Sequence, residues 1–199
     1  LGANYAGQLG DGTTENRLTP VDVVGVDNIT AIAAGNAHTC ALITGGRVKC
    51  WGNNSLTPVE VVGLSDVTSI AAGDWNTCAV VADGVKCWGG NDYGQLGDGT
   101  TVDSLTPVDV IVVNGATTVV VGTQYSCAVV AGAVKCWGRN DWGTLGDGTR
   151  QSKLTAVDVV GVSGAKSITA GSGYGFTCAI VSGGVECWGD NSGGQLGDG

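Results

Sequence analysis

The stretch Ala33-Ala34-Gly35-Asn36-Ala37-His38-Thr39-Cys40-Ala41-Leu42, continued after a glycine turn by Arg47-Val48-Lys49-Cys50-Trp51-Gly52, decides the fold because its pattern returns three more times. The cysteine pairs fall at Cys40/Cys50, Cys78/Cys87, Cys127/Cys136 and Cys178/Cys187, and each second cysteine is followed by Trp-Gly. The tryptophans Trp51, Trp88, Trp137 and Trp188 are 37, 49 and 51 residues apart. A period of that size belongs to a repeat array or a propeller, where one unit cannot bury its apolar face alone and stacks on its neighbours.

Aligning the copies defines the unit. A glycine-rich loop (7–12, 94–99, 143–148, 194–199) leads into Leu-Thr-Pro-Val at 18–21, 56–59 and 105–108, and Ala156 replaces the proline at 154–157. A small-residue stretch ending at Gly35, Gly73, Gly122 or Gly171 then precedes the two cysteine strands. The units are 1–52, 53–89, 90–138 and 139–189, with 190–199 starting a further one. The second unit is short: Trp51 to Pro58 spans 7 residues where Trp88 to Pro107 spans 19, so 12 residues including the glycine-rich loop are missing. We expect the notch between Gly52 and Thr57 to be a docking site or a seam between subunits.

The local pattern is that of strands. Short runs rich in Val, Ile, Thr and Ala (21–24, 29–33, 39–43, 47–51) are separated by glycine and asparagine, as in antiparallel blades. No window sustains a 3.6-residue apolar period, and interior glycine costs a helix about 1 kcal/mol against alanine, so with 36 glycines essentially no helix is expected.

The combination of Cys-Trp-Gly, Gly-Gln-Leu-Gly-Asp-Gly-Thr-Thr (94–101) and Ala-Ala-Gly-x-x-His-Thr-Cys-Ala-Leu (33–42) resembles the repeats of the regulator of chromosome condensation family, in a secreted, bacterial-type variant, over the whole chain. The resemblance implies an all-β propeller of four-stranded blades, about seven to a ring, of which this chain carries about half. It departs from the family in the deleted loop and in keeping the histidine of the motif only at His38. The chain lacks methionine and begins inside a unit, which reads as a processed protein or an excerpt of a longer one.

If each cysteine pair flanks a hairpin, a three-residue loop (44–46) sets Cys40 opposite Cys50 and a two-residue loop (82–83) sets Cys78 opposite Cys87, with the other pairs alike. Directly opposed residues of antiparallel strands lie close enough for a disulfide. Each bond would contribute about 2 to 3 kcal/mol in the chain-entropy model. The alternatives are buried reduced thiols and, against the spacing and the single histidine, zinc. Four disulfides would place the protein outside the reducing cytosol, secreted or on a cell surface.

Catalytic patterns are missing: no Gly-x-Ser-x-Gly, phosphate loop or His-Glu-x-x-His occurs, and His38 reads as a strand-end histidine bonded to backbone rather than a general base. Asp11, Asp98, Asp147 and Asp198 recur in the glycine-rich loops; each loop has too few carboxylates for a dedicated calcium site, and turn capping is the better account. No metal or cofactor is expected. A net charge of −9 with scattered basic residues gives no footprint for nucleic acid. No apolar run is long enough for membrane insertion. The chromatin binding and guanine-nucleotide exchange found in the family are not expected here, and a GTPase partner is disfavoured.

What remains is binding through loops by a non-catalytic extracellular module that takes a protein partner, a role the family's secreted enzyme inhibitors also suggest. Sequence variation between Gly and Thr/Ser-Cys points to Asp74, Trp75, Asn76, Gln124, Tyr125, Tyr174 and Phe176 as rim contacts. A second ring, Tyr5, Tyr93 and Trp142, precedes the glycine-rich loops. In the competing reading these side chains pack against the next blade. The alternative functions are a self-assembling surface or filament protein and, behind it, a lectin.

Overall fold

The computed structural model describes residues 2–82, 84–173 and 175–199, so Leu1, Asp83 and the rim candidate Tyr174 lie outside the described residues. Among the described residues there is no helix, and hence none long and apolar enough to cross a membrane. The strands form four antiparallel sheets. Blade 1 is β1 (Ile29–Ala34), β2 (His38–Ile43), β3 (Arg47–Gly52) and β4 (Ser55–Glu60). Blade 2 is β5 (Ser69–Ala72), β6 (Asn76–Val81), β7 (Gly84–Gly89) and β8 (Ser104–Asp109). Blade 3 is β9 (Ala116–Val121), β10 (Tyr125–Val130), β11 (Ala133–Gly138) and β12 (Lys153–Asp158). Blade 4 is β13 (Ala165–Ala170), β14 (Phe176–Val181) and β15 (Gly184–Gly189).

Each blade is a meander, with strands paired in chain order. The first three strands come from one sequence unit and the fourth from the stretch after Cys-Trp-Gly, so the sheets straddle the units read from the sequence. The run 21–24, expected as a strand, is not one. Its counterparts in β4, β8 and β12 pair with the Cys-Trp-Gly strand before them, and the residues preceding it here contribute only an isolated bridge, Gly2 to Arg17.

Hairpin turns set the register. Ala131 and Gly132, and likewise Ser182 and Gly183, are both left-handed, the requirement of a two-residue turn whose twist matches the strands it joins. Counting back from the pair Val130/Ala133 puts Cys127 and Cys136 at a non-hydrogen-bonded position, where opposed residues approach most closely. All four expected disulfides are formed, Cys40–Cys50, Cys78–Cys87, Cys127–Cys136 and Cys178–Cys187, each with Cα atoms 4.1 Å apart, and no cysteine is free. The bonds read alike in sequence, yet their settings differ. Cys78, Cys87, Cys127 and Cys136 are fully buried, whereas Cys178 and Cys187 are only half-buried, because among the described residues no further blade covers the outward face of blade 4.

The inner strands stack in the order β1, β5, β9, β13, and among the described residues β13 does not pack back on β1. Small residues let them converge: a Cβ at Gly73 would lie 2.2 Å from the Gly122 carbonyl oxygen. Apolar clusters fill the spaces between blades: Leu42, Val48 and Trp88 between the first two, Val85, Leu96 and Trp137 between the next, Val134, Leu145 and Ile168 between the last.

Candidate functional site

In blades 1 to 3 the residue opening the second strand reaches a hydroxyl of the next blade. His38 Nε2 lies 2.7 Å from Thr77 Oγ1, Asn76 Nδ2 donates to Ser126 Oγ at 3.2 Å, and Tyr125 Oη is 3.3 Å from Thr177 Oγ1. This ladder of side chains ties the blades together. His38 therefore pairs with a side chain, where the sequence reading gave it a backbone partner. Burial pushes the His38 imidazole below its ordinary pKa and raises the Tyr125 phenol to about 12. Of the expected rim contacts, Asn76 and Tyr125 are buried in this ladder, and Phe176 packs half-buried on Gly171.

Above the ladder sit the glycine-rich loops, and those at 7–12, 94–99 and 143–148 each act as a plug. The Gln8 carbonyl accepts from Trp51 Nε1 at 3.0 Å and Thr39 Oγ1 at 2.9 Å. Gln95 does the same for Trp137 (2.9 Å) and Ser126 (3.1 Å), and Thr144 for Trp188 (2.9 Å) and Thr177 (3.3 Å). Two residues on, Gly10, Gly97 and Gly146 press on the indole edge, where a Cβ would come within 2.7 to 2.9 Å of the ring or its neighbouring valine.

The plugs are built the same way each time. In the loop over Trp137, Asn91 Oδ1 accepts from Leu96 N, while Asn91 Nδ2 donates to Asp98 and the Thr100 carbonyl. Asp98 in turn accepts from the Thr100 amide. The loop aspartates thus cap their own turns. Thr13, then Arg17, holds the Asp11 carboxyl down to about 2.

One plug is missing. In blades 2 and 3 the connection from third to fourth strand runs through 90–103 and 139–152; in blade 1 it is only Asn53-Asn54, with φ of 49° and 75°. Pairing is unaffected, since Lys49–Glu60, Cys50–Val59 and Gly52–Ser55 match Lys86–Asp109, Cys87–Val108 and Gly89–Ser104. The plug that would cover Trp88 is absent, and a cavity of about 320 Å³ opens there, lined among others by His38, Trp51, Trp75, Thr77, Trp88 and Leu105. Among the described residues Trp88 Nε1 has no hydrogen bond, and buried His38 Nδ1 has no partner. Leu105 is 94% exposed, while its counterparts Leu56 and Leu154, lying under Gly7 and Gly94, are 37% and 38% exposed.

A second feature adjoins the notch. Trp75, 55% exposed, accepts at its carbonyl from the Gly90 amide, three residues before Tyr93 in the chain. The Arg139 guanidinium stacks 4.8 Å from the Tyr93 ring centre and 4.6 Å from that of Trp142, and bonds Gln124 and Asp141 at 2.6 and 2.7 Å. Asp74 and Gln124 remain partly accessible on this rim. The structure thus gathers Gln124, Tyr93 and Trp142 around Arg139, while Trp75 borders the notch and Asp74 stands apart from both. Arg139 was not singled out by sequence; its signal is a basic residue just after Cys-Trp-Gly, where the other units carry Asn53, Gly90 and Asp190. Of the bridge cysteines, Cys50 borders the notch, while Cys187 takes no part in its lining or in the Arg139 patch and serves to staple β14 to β15.

Solved structures share this architecture. Human WBSCR16 superposes with a TM-score of 0.80 at 18% identity over 96% of this chain and 60% of that one. Prp20p from Saccharomyces cerevisiae gives 0.76 at 23% over 95% and 50%, and the ectodomain of the Physcomitrella patens receptor kinase CR4 gives 0.57 at 23% over 90% and 46%. The chain thus spans between about half and three-fifths of these proteins. A search of curated protein sequences gives no match. Models of the regulator of chromosome condensation (RCC1) repeat match residues 1–42, 84–129 and 131–180, and a second model of that repeat matches 29–56 and 67–95. With repeat matches over most of its length and blades of the corresponding form, the chain belongs to the RCC1 repeat family.

Proposed function

We propose that the protein is a non-catalytic recognition module that binds a protein partner through this rim, in an extracellular or cell-surface setting. The observation that carries the reading is the cluster of Tyr93, Arg139, Trp142 and Gln124 on the blade ends, with Trp75 exposed at the notch. Tryptophan, tyrosine and arginine dominate binding energy at protein interfaces, since they bury large area at low entropic cost. On a chain of charge −9, a stacked guanidinium favours a partner that offers a carboxylate beside an apolar side chain. Related propellers lend support: yeast RCC1 (Prp20) has been crystallised with Kap60 bound, and another study concerns its binding to Gsp1p and histones. The four disulfides and the use of this fold in a receptor ectodomain support the oxidising setting. His38, the single histidine, is held by Thr77 as a strut, which supports a non-catalytic role.

The test is site-specific photo-crosslinking in the native source. Probes at positions 75 and 142 should capture one protein that a probe at exposed Val160 does not, and Arg139→Glu should abolish capture. Equal labelling from all three positions would remove the reading.

A further inference from the structure

We infer that the notch beside Trp88 is a socket for a glycine-bearing turn of a partner polypeptide, which completes the blade as the chain's own loops complete the others. This deepens the recognition reading and rests on it. The occupant's chemistry follows from the three filled positions. In each, one backbone carbonyl accepts from an indole N–H and a hydroxyl, at 2.9 to 3.3 Å, and a glycine two residues later lies on the ring edge. At the notch the same donors stand without that acceptor: Trp88 Nε1 is unbonded among the described residues, and Thr77 Oγ1 is in contact with His38 Nε2 instead. With the His38 N–H donating to Thr77, the hydroxyl proton is free for an incoming carbonyl, the same relay as Asn76 to Ser126 to the Gln95 carbonyl.

Shape agrees with the chemistry. The cavity of about 320 Å³ stands at the lower end of the ~300–1,000 Å³ usual for ligand sites, and it is walled by Trp51, Trp75 and Trp88. Leu105 offers an uncovered apolar contact where Leu56 and Leu154 receive a plug.

The probe is a peptide with the sequence of residues 91–101, which holds its own turn through Asn91, Asp98 and Thr100. Titrated into the intact ¹⁵N-labelled protein, it should shift the Trp88 indole N–H resonance saturably and leave those of Trp51, Trp137 and Trp188 in place. Thr77→Val should weaken binding about tenfold, the loss of one hydrogen bond to a desolvated carbonyl. A peptide carrying Gly97→Ala should fail, since a Cβ there meets the indole. Grafting residues 91–102 between Asn53 and Asn54 should block the site while leaving Thr77, Trp88 and Leu105 unsubstituted. No Trp88 shift at millimolar peptide overturns the inference. So does binding that survives both the graft and Gly97→Ala, or a Trp88 shift with cello-oligosaccharides and not with peptide. The crosslinking at position 142, which does not line the notch, is read independently, so a failed socket leaves the recognition reading standing.

Discussion

Trp137 and Trp88 occupy the same position in neighbouring blades, and they differ in one respect. Trp137 lies sealed under the Gln95 carbonyl and Gly97, whereas Trp88 looks into a cavity. The strands around both keep the same register. The comparison teaches that the glycine-rich loop is a detachable cover: its loss leaves the blade intact and converts a structural contact into an accessible one. Repeat arrays permit this because each blade depends on its neighbours, and a connection at the rim carries little of that contact.

The strongest way to break the comparison is to remove the other cover. Replacing residues 90–103 by Asn-Asn should destabilise the protein by about 4 kcal/mol or more, because fully buried Leu96 is lost along with the bonds to Trp137 and Ser126. Denaturant unfolding measures the cost, and the strand register should survive in amide exchange. A smaller and cleaner contrast comes from Trp137→Phe and Trp88→Phe. The first removes one of the two donors to the Gln95 carbonyl, leaving Ser126 Oγ, and should cost about 1 kcal/mol more than the second, which removes an N–H with no partner among the described residues. Equal costs would show that Trp88 Nε1 is satisfied in solution.

At the outer strand, Leu154→Ser should be destabilising by up to about 1 kcal/mol, and Leu105→Ser should stay within about 0.5 kcal/mol of the parent, both read from thermal unfolding. The last contrast is in pH. Burial lowers the His38 pKa below 6.5, so its contribution is complete above pH 6.5 and falls as pH drops through the folded-state value, the unfolded chain taking up the proton first. Tyr125, its counterpart in blade 3, is raised to about 12, so its contribution is complete below pH 10 and is lost as pH rises through 12. His38→Gln should flatten the profile below pH 6.5 and leave the alkaline limb unchanged.

Much of this was legible in the chain. The cysteine spacing gave the hairpin pairs, since a cross-strand register follows from loop length, and the count of residues between Trp51 and Pro58 located the missing loop. Spacing could not tell that Cys187 would sit half-buried where Cys87 and Cys136 are sealed, because that depends on whether another blade lies against it. The strand expected at 21–24 was not formed, because propensity cannot supply a pairing partner. Asn76 and Tyr125 looked like variable rim residues, yet both are struts: the residue before Thr/Ser-Cys points across the blade gap, a direction set by the stacking of sheets. Arg139 carried only the faint signal of a base where its counterparts are small or acidic.

The sequence by itself determined the repeat, the strands, the disulfide partners and the lost loop, because each rests on contacts within some twenty residues of chain. Only the tertiary structure decided which blade each loop covers. Gln8, Gln95 and Thr144 reach indoles more than forty residues away, and no local pattern carries that distance. For the same reason the deletion shows its effect one blade further on, at Trp88, where packing of one blade against the next leaves a donor facing open space.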